Sequence, residues 1–247
     1  DWRSGVFVGR IATSAGPSPV LLRGGILYDV SATAPTVSAL LDRADVVRTG
    51  GHPLGPLDAL AHFAPDGLAG TSLLAPIDLQ CIKAAGVTFA ASAIERVIEE
   101  RARGDAAAAS ALRSRLEAKI GAELRSVVPG TPAAQALKAA LVEEGAWSQY
   151  LEVAIGPDAE IFTKAPVLAA VGWGAQVGIR SDSSWNNSEP EVVLVADSAG
   201  RAVGATLGND MNLRDFEGRS ALLLGKAKDN NASCALGPLI RLFDDRF

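Results

Sequence analysis

Short apolar runs punctuated by glycine dominate both ends of the chain, while its middle is rich in Ala, Glu and Arg. Before residue 70, the runs at 5–9 and 20–30 read as strands separated by glycine turns. Ala34-Pro35 predicts the start of a short helix over 36–41. The stretch 50–70 holds three prolines and several glycines and reads as a linker crossing the surface. A domain boundary is therefore placed there, giving a small β/α unit over 1–69 and a larger unit over 70–247. In the middle, 94–126 reads as two successive helices broken at Gly104-Asp105. A further helix opens at Thr131-Pro132, with Thr131 as N-cap, and runs to Glu144. After Trp147 the pattern turns to β, with short apolar runs at 167–171, 192–196, 202–207 and 220–224. Strands do not alternate with ten-residue helices, so the chain reads as α+β and not as a doubly wound parallel sheet.

At 247 residues and 48% apolar content, the chain can bury a sizeable core without covalent staples. A formal net charge of -5 argues against nucleic acid and anionic membrane as partners. Two cysteines, Cys81 and Cys234, lie far apart and read as free thiols. No run approaches 18 apolar residues, so no transmembrane helix is expected. The start, Asp1-Trp2-Arg3-Ser4-Gly5, does not have the layout of a signal peptide, and a cytoplasmic location is expected.

The candidate chemistry lies in one predicted hairpin. Glu189-Pro190-Glu191 leads into the run 192–196, a turn occupies 197–201, and a second strand ends at Gly208-Asn209-Asp210. With the turn centred near residue 199, Glu191 is expected opposite Leu207, and Asp210 just beyond at the same open end. Glu189 and Glu191, two apart in extended chain, share a face. Three carboxylates gathered in this way repel one another unless a cation compensates, and hard oxygen donors suit Mg²⁺, Mn²⁺ or Ca²⁺. Acidic residues at strand ends are often plain solvated turns, so spacing alone leaves both readings open.

A resemblance narrows the choice. Glu189-Pro190-Glu191, then 207–215 (Leu207-Gly208-Asn209-Asp210 through Asp215), then Lys226-Ala227-Lys228, then Ala235-Leu236-Gly237-Pro238 succeed one another in the order of the fumarylacetoacetate hydrolase superfamily. The resemblance implies a mixed β-roll catalytic domain. It implies Glu189, Glu191 and Asp210 as metal ligands, and Lys228 as a substrate-contacting lysine. Ser184-Trp185-Asn186 and Gly86-Val87-Thr88-Phe89 resemble the branch of 2-keto-3-deoxy-pentonate dehydratases. Thr88 and Phe89 would then contact substrate. Ser92 stands where hydrolases of the superfamily carry a water-activating histidine, while Glu95 persists.

By function, the resemblance implies a Mg²⁺-dependent hydro-lyase that forms 2,5-dioxopentanoate from a pentose-derived 2-keto acid. Lys228 or Glu160 would be its base, and Glu95 would assist the departing hydroxyl. Acylpyruvate hydrolysis, oxaloacetate decarboxylation and a catalytically silent metal-binding role are the alternatives. The resemblance also implies a homo-oligomer, and family members continue beyond the block that ends at Pro238, so the catalytic domain is expected to be truncated here. The chain contains no Gly-x-Ser-x-Gly elbow, no Walker-type loop and no dinucleotide fingerprint.

Overall fold

A computed structural model describes residues 2–57, 73–86, 127–143 and 149–244, with positions 98, 101–103, 105, 108–110, 145 and 147 between them. Four strands come first: β1 (Val6–Thr13), β2 (Gly16–Arg23), β3 (Ile26–Asp29) and β4 (His52–Pro56). The ribbon partners β5 (Ile82–Ala85) and β6 (Ile161–Ala165) come next. Last are β7 (Asn186–Asn187), β8 (Pro190–Ala196), β9 (Ala202–Asp210), β10 (Asn212–Leu213) and β11 (Cys234–Leu242). The described helices are α1 (Val37–Leu41), α2 (Pro132–Glu143), α3 (Gln149–Ile155), α4 (Arg214–Glu217) and α5 (Leu224–Lys228).

One seven-stranded sheet, in the order β4-β3-β2-β1-β11-β9-β8, organises the molecule. Its ladders are antiparallel among the described residues, and a single parallel bridge joins Val171 to Ala235. The boundary expected near residue 70 falls outside the described residues. On either side of it, β1 and β11 pair directly, so the first strands and the last share one sheet. Part of the expected linker is strand β4, which is bonded to β3. Its prolines Pro53 and Pro56 are tolerated because β4 is an edge strand, where a missing N–H breaks no ladder.

The main core lies on one face of the sheet, where Val6, Val8, Leu21, Leu236, Ile240 and Leu242 pack against Val37, Leu40 and Leu41 of α1. Each such side chain contributes roughly 1.5–3 kcal/mol on burial. Thr36 caps α1 by accepting from Ala39 N at 3.0 Å, and Asp78 accepts from Val37 N and Ser38 N at the same end. Thr131 accepts from Ala134 N at 3.3 Å, as the sequence predicts for the start of α2. Of the expected 94–126 helices, the few described positions include helical residues at 98, 101–102 and 108–110.

Two expected strands do not form. Residues 167–171 make turns and the lone bridge at Val171, while 220–224 forms a 3₁₀ turn (Ala221–Leu223) that runs into α5. In the second case Ser220 accepts from Leu222 N, and this local cap outcompetes strand formation in a run with no pairing partner among the described residues.

Candidate active site

β8 and β9 carry the site, and a bulge sets their register. Near the turn Ala196 pairs with Ala202, but from Val195↔Gly204 onward the pairing is shifted by one residue. Glu191 therefore stands opposite Gly208 and not Leu207, and Asp210 N donates to Glu189 O at 2.9 Å. With side chains alternating across the sheet, Glu189, Glu191, Gly208 and Asp210 all fall on the core face. Val192, Leu194 and Leu207 fall on the other face, exposed. Without the bulge Asp210 would point away from both glutamates.

A cavity of about 370 Å³ opens over this face, between the β5–β6 ribbon and the sheet. Glu191, Asp210, Lys164 and Cys234 line it, with Ile82, Ile161 and Leu236 as apolar walls. Gly208 keeps the wall thin, since a Cβ there would lie 2.7 Å from Val193 Cγ2.

Two buried lysines hold the carboxylates, and one of them, Lys164, lines the cavity. Lys228 Nζ, 1% exposed, donates to Glu189 Oε2 at 2.5 Å and to Asp210 Oδ2 at 3.1 Å. Burial pulls its pKa down, but the charges of Glu217, Asp210 and Glu189 outweigh this and hold it above the usual lysine value. In this arrangement Lys228 Nζ is tied to two carboxylates. Lys164 Nζ, also 1% exposed, lies 2.8 Å from Asp210 Oδ1 and donates to Met211 O at 2.9 Å, to Ser233 Oγ and to Lys228 O. The ion pair to Oδ1 is out of line for a hydrogen bond, so this buried oxygen has no hydrogen-bond donor among the described residues.

Glu191 lines the cavity although the residue as a whole is exposed. Its carboxyl is raised above the ordinary glutamate range, first by partial desolvation and then by the charges of Asp210 and Glu189, with Lys228 opposing. Asn212, fully buried, donates to Glu189 Oε1 at 3.0 Å and to Glu217 Oε2 at 2.5 Å.

The structure thus brings Glu189, Glu191, Asp210 and Lys228 together. Glu160 lies at the end of the ribbon, folded against Gly86, whose N–H donates to Glu160 O at 2.8 Å. Thr88, Phe89, Ser92 and Glu95 lie outside the described residues. Sequence reasoning missed Lys164, Asn212 and Glu217. A signal for Lys164 was present, because a lysine inside the apolar stretch Ile161–Ala165 is rarely left without a charged partner.

The donor set suits a hard cation. It offers three carboxylates on one face, one buried Asp210 oxygen without a hydrogen-bond donor among the described residues, and a Glu191 carboxyl crowded by like charge. Lys228 Nζ bonds to two of these carboxylates, those of Glu189 and Asp210. Among the described residues, no group of three or more carboxylate, imidazole or thiol side chains is arranged to hold an ion as it stands.

No family model matches the chain. It is 41% identical over 86 residues to 2-dehydro-3-deoxy-D-arabinonate dehydratase of Saccharolobus solfataricus, covering 35% of this chain and 29% of that protein. It is 37% identical over 91 residues to the probable 2-keto-3-deoxyxylonate dehydratase of Haloferax volcanii, covering 37% of this chain and 31% of that protein. The matched stretches thus span less than a third of the length of either curated relative. The fold matches a solved 2-keto-3-deoxy-D-arabinonate dehydratase complexed with magnesium and 2,5-dioxopentanoate, with a TM-score of 0.64 at 20% identity over 96% of this chain and 66% of that one. No described helix is long and apolar enough to cross a membrane. In sequence over about a third of its residues and in fold over 96% of them, the chain is similar to the 2-keto-3-deoxy-pentonate dehydratases.

Proposed function

We propose that the chain carries the metal-binding part of a hydro-lyase that removes water from a 2-keto-3-deoxy-pentonate and yields 2,5-dioxopentanoate. The observation that carries this reading is the set of three carboxylates on one sheet face beside two buried lysines, two of the carboxylates, Glu191 and Asp210, lining a cavity of about 370 Å³. That volume lies within the usual range for small-molecule sites. The named relatives act on this substrate class, and the solved neighbour was captured with magnesium and the product.

Glu189, Glu191 and Asp210 would hold a divalent cation, with Mg²⁺ first and Mn²⁺ or Ca²⁺ as substitutes. Such a cation, when bound, supplies Lewis-acid withdrawal of charge from the 2-keto group, which acidifies the C3 proton. The buried ammonium groups of Lys164 and Lys228 would offset part of the negative charge of the three carboxylates. Lys228 or Glu160 would take the C3 proton. Glu95 would donate to the leaving C4 hydroxyl, and Thr88 and Phe89 would flank the substrate. Ser92, in place of an imidazole, favours loss of water over its addition.

The test is incubation with a panel of 2-keto-3-deoxy-pentonates and Mg²⁺, monitoring the aldehyde product. Turnover of at least one member that stops on chelation supports the reading. Complete inertness of the panel, in protein whose melting temperature does rise with Mg²⁺, would leave a metal-binding protein without this activity.

A further inference from the structure

We infer that Asn212 and Glu217 form a positioning pair that aims Glu189 at the cation, an inference that rests on the metal site proposed for Glu189, Glu191 and Asp210. Asn212 sits in β10, where pairing with Asn187 of β7 fixes its backbone two residues beyond Asp210. The chain then turns directly into α4, which carries Glu217 back over Asn212. Asn212 is 0% exposed and Glu217 3% exposed, so neither is a surface residue.

A side-chain amide has two N–H donors, and here each goes to a different carboxylate, Glu189 Oε1 at 3.0 Å and Glu217 Oε2 at 2.5 Å. Two carboxylate acceptors also settle which end of the amide is nitrogen, because an ionised carboxylate can only accept. Asn212 Oδ1 is buried and meets no donor among the described residues. The amide is therefore held by its donating end alone. The outcome is an asymmetric Glu189, with Oε1 tied to a neutral donor and Oε2 facing Lys228 and Asp210.

A neutral donor suits this task. It fixes the rotation of the carboxylate without neutralising it, so the negative charge that a cation would use is retained. Glu217 in turn anchors the amide through its Oε2, and its charge also acts on Lys228. Outer partners of this kind orient ligating carboxylates, and losing one commonly weakens metal binding about 10–100-fold.

The test measures Mn²⁺ affinity by electron paramagnetic resonance, alongside melting temperature in chelator. In Asn212→Leu, which keeps the shape and loses the donors, Mn²⁺ affinity should fall about 10-fold or more. Glu217→Leu should cost a similar factor, whereas Glu217→Gln keeps an acceptor oxygen and should stay within about threefold of wild type. Adding Glu217→Leu to Asn212→Leu should weaken binding by less than the two single losses combined, since they share one hydrogen bond. A role confined to stability would lower the melting temperatures of both leucine variants and leave Mn²⁺ affinity within about twofold of wild type. That result, or additive losses of affinity, overturns the inference. If wild-type protein itself takes up no Mn²⁺, the proposed metal site falls, and this inference with it.

Discussion

Lys164 Nζ and Asp210 Oδ1 stand 2.8 Å apart beneath the cavity, the lysine side chain 1% and the aspartate side chain 8% exposed. Water screens neither charge, and without Lys164 the aspartate keeps Lys228 as a cation partner. Lys164→Met keeps length and apolar bulk but deletes the cation and the donor to Met211 O and Lys228 O, so it should lower stability by about 1–3 kcal/mol in chemical denaturation. Asp210→Asn added to it should not restore that loss, because Lys228 then loses one of its two carboxylate partners. Activity should not return in the double variant. If Lys164→Met alone unfolds at the wild-type denaturant concentration, the pair is not the buried bridge described.

Asp78 and Ser38 give a pH-dependent contribution to stability away from the site. Burial alone would push the Asp78 carboxyl up. Hydrogen bonds from the Ser38 hydroxyl and from the N–H groups of Leu79, Val37 and Ser38 outweigh it and hold the group below the ordinary aspartate value. A folded pKa below the unfolded one stabilises fully above about pH 4, the unfolded aspartate value, and the gain is lost as pH falls through the folded pKa. Asp78→Asn should therefore cost about 2–4 kcal/mol at neutral pH. It should also flatten the fall in stability below about pH 4. Arg10 is the cation coupled to this carboxylate, so the two profiles should be compared at fixed salt.

Much of this architecture is legible in the sequence where short-range chemistry decides it. Thr36 and Thr131 announce their helices, and the hairpin of β8 and β9 is written in its apolar runs and its Asp197-Ser198-Ala199-Gly200-Arg201 turn. The three carboxylates of the hairpin could be named, but their geometry could not be drawn correctly. A symmetric turn about residue 199 pairs Glu191 with Leu207 and leaves Asp210 on the wrong face. Only the bulge beside Val195 corrects it, and a bulge has no reliable signature in a run of Ala, Val and Gly. Lys164 could be singled out as a lysine in an apolar stretch, but its partners could not be named. Its four oxygen partners lie on Asp210, Met211, Lys228 and Ser233, at sequence separations of 46–69 residues, and no local pattern reaches that far.

The two cysteines differ in a way that a thiol reagent can read. Cys81 is exposed, while Cys234 is buried in the cavity wall. Burial, with a smaller push from Asp210 and against a pull from Lys164, raises the Cys234 thiol to about 11. At pH 8 roughly one Cys234 in a thousand is then thiolate, the reactive form. Iodoacetamide on folded protein should add one label, at Cys81, and a second only after denaturation. Two labels on native protein at equal rates would contradict the burial of Cys234.

Gly86 and Glu160 provide the last test, and it bears on the base. A Cβ at residue 86 would lie 2.2 Å from Glu160 Oε2 and 3.0 Å from both Glu160 Cβ and Val153 Cγ1. Only a hydrogen fits where the Glu160 carboxylate lies over the end of β5. Backbone strain is not the obstacle, since Gly86 does not adopt a positive φ, so Gly86→Ala acts by displacing Glu160. A shift of about 1 Å in a catalytic group can cost about 100-fold in rate. Gly86→Ala should accordingly lower kcat by about that factor with KM little changed. Glu160→Gln, which keeps the shape and removes the basic oxygen, should lower kcat about 10²–10⁴-fold. Combining the two should cost no more than Glu160→Gln alone, because the glycine acts only through the carboxylate it admits. A Glu160→Gln variant with wild-type kcat would remove Glu160 from the chemistry and return the role of base to Lys228.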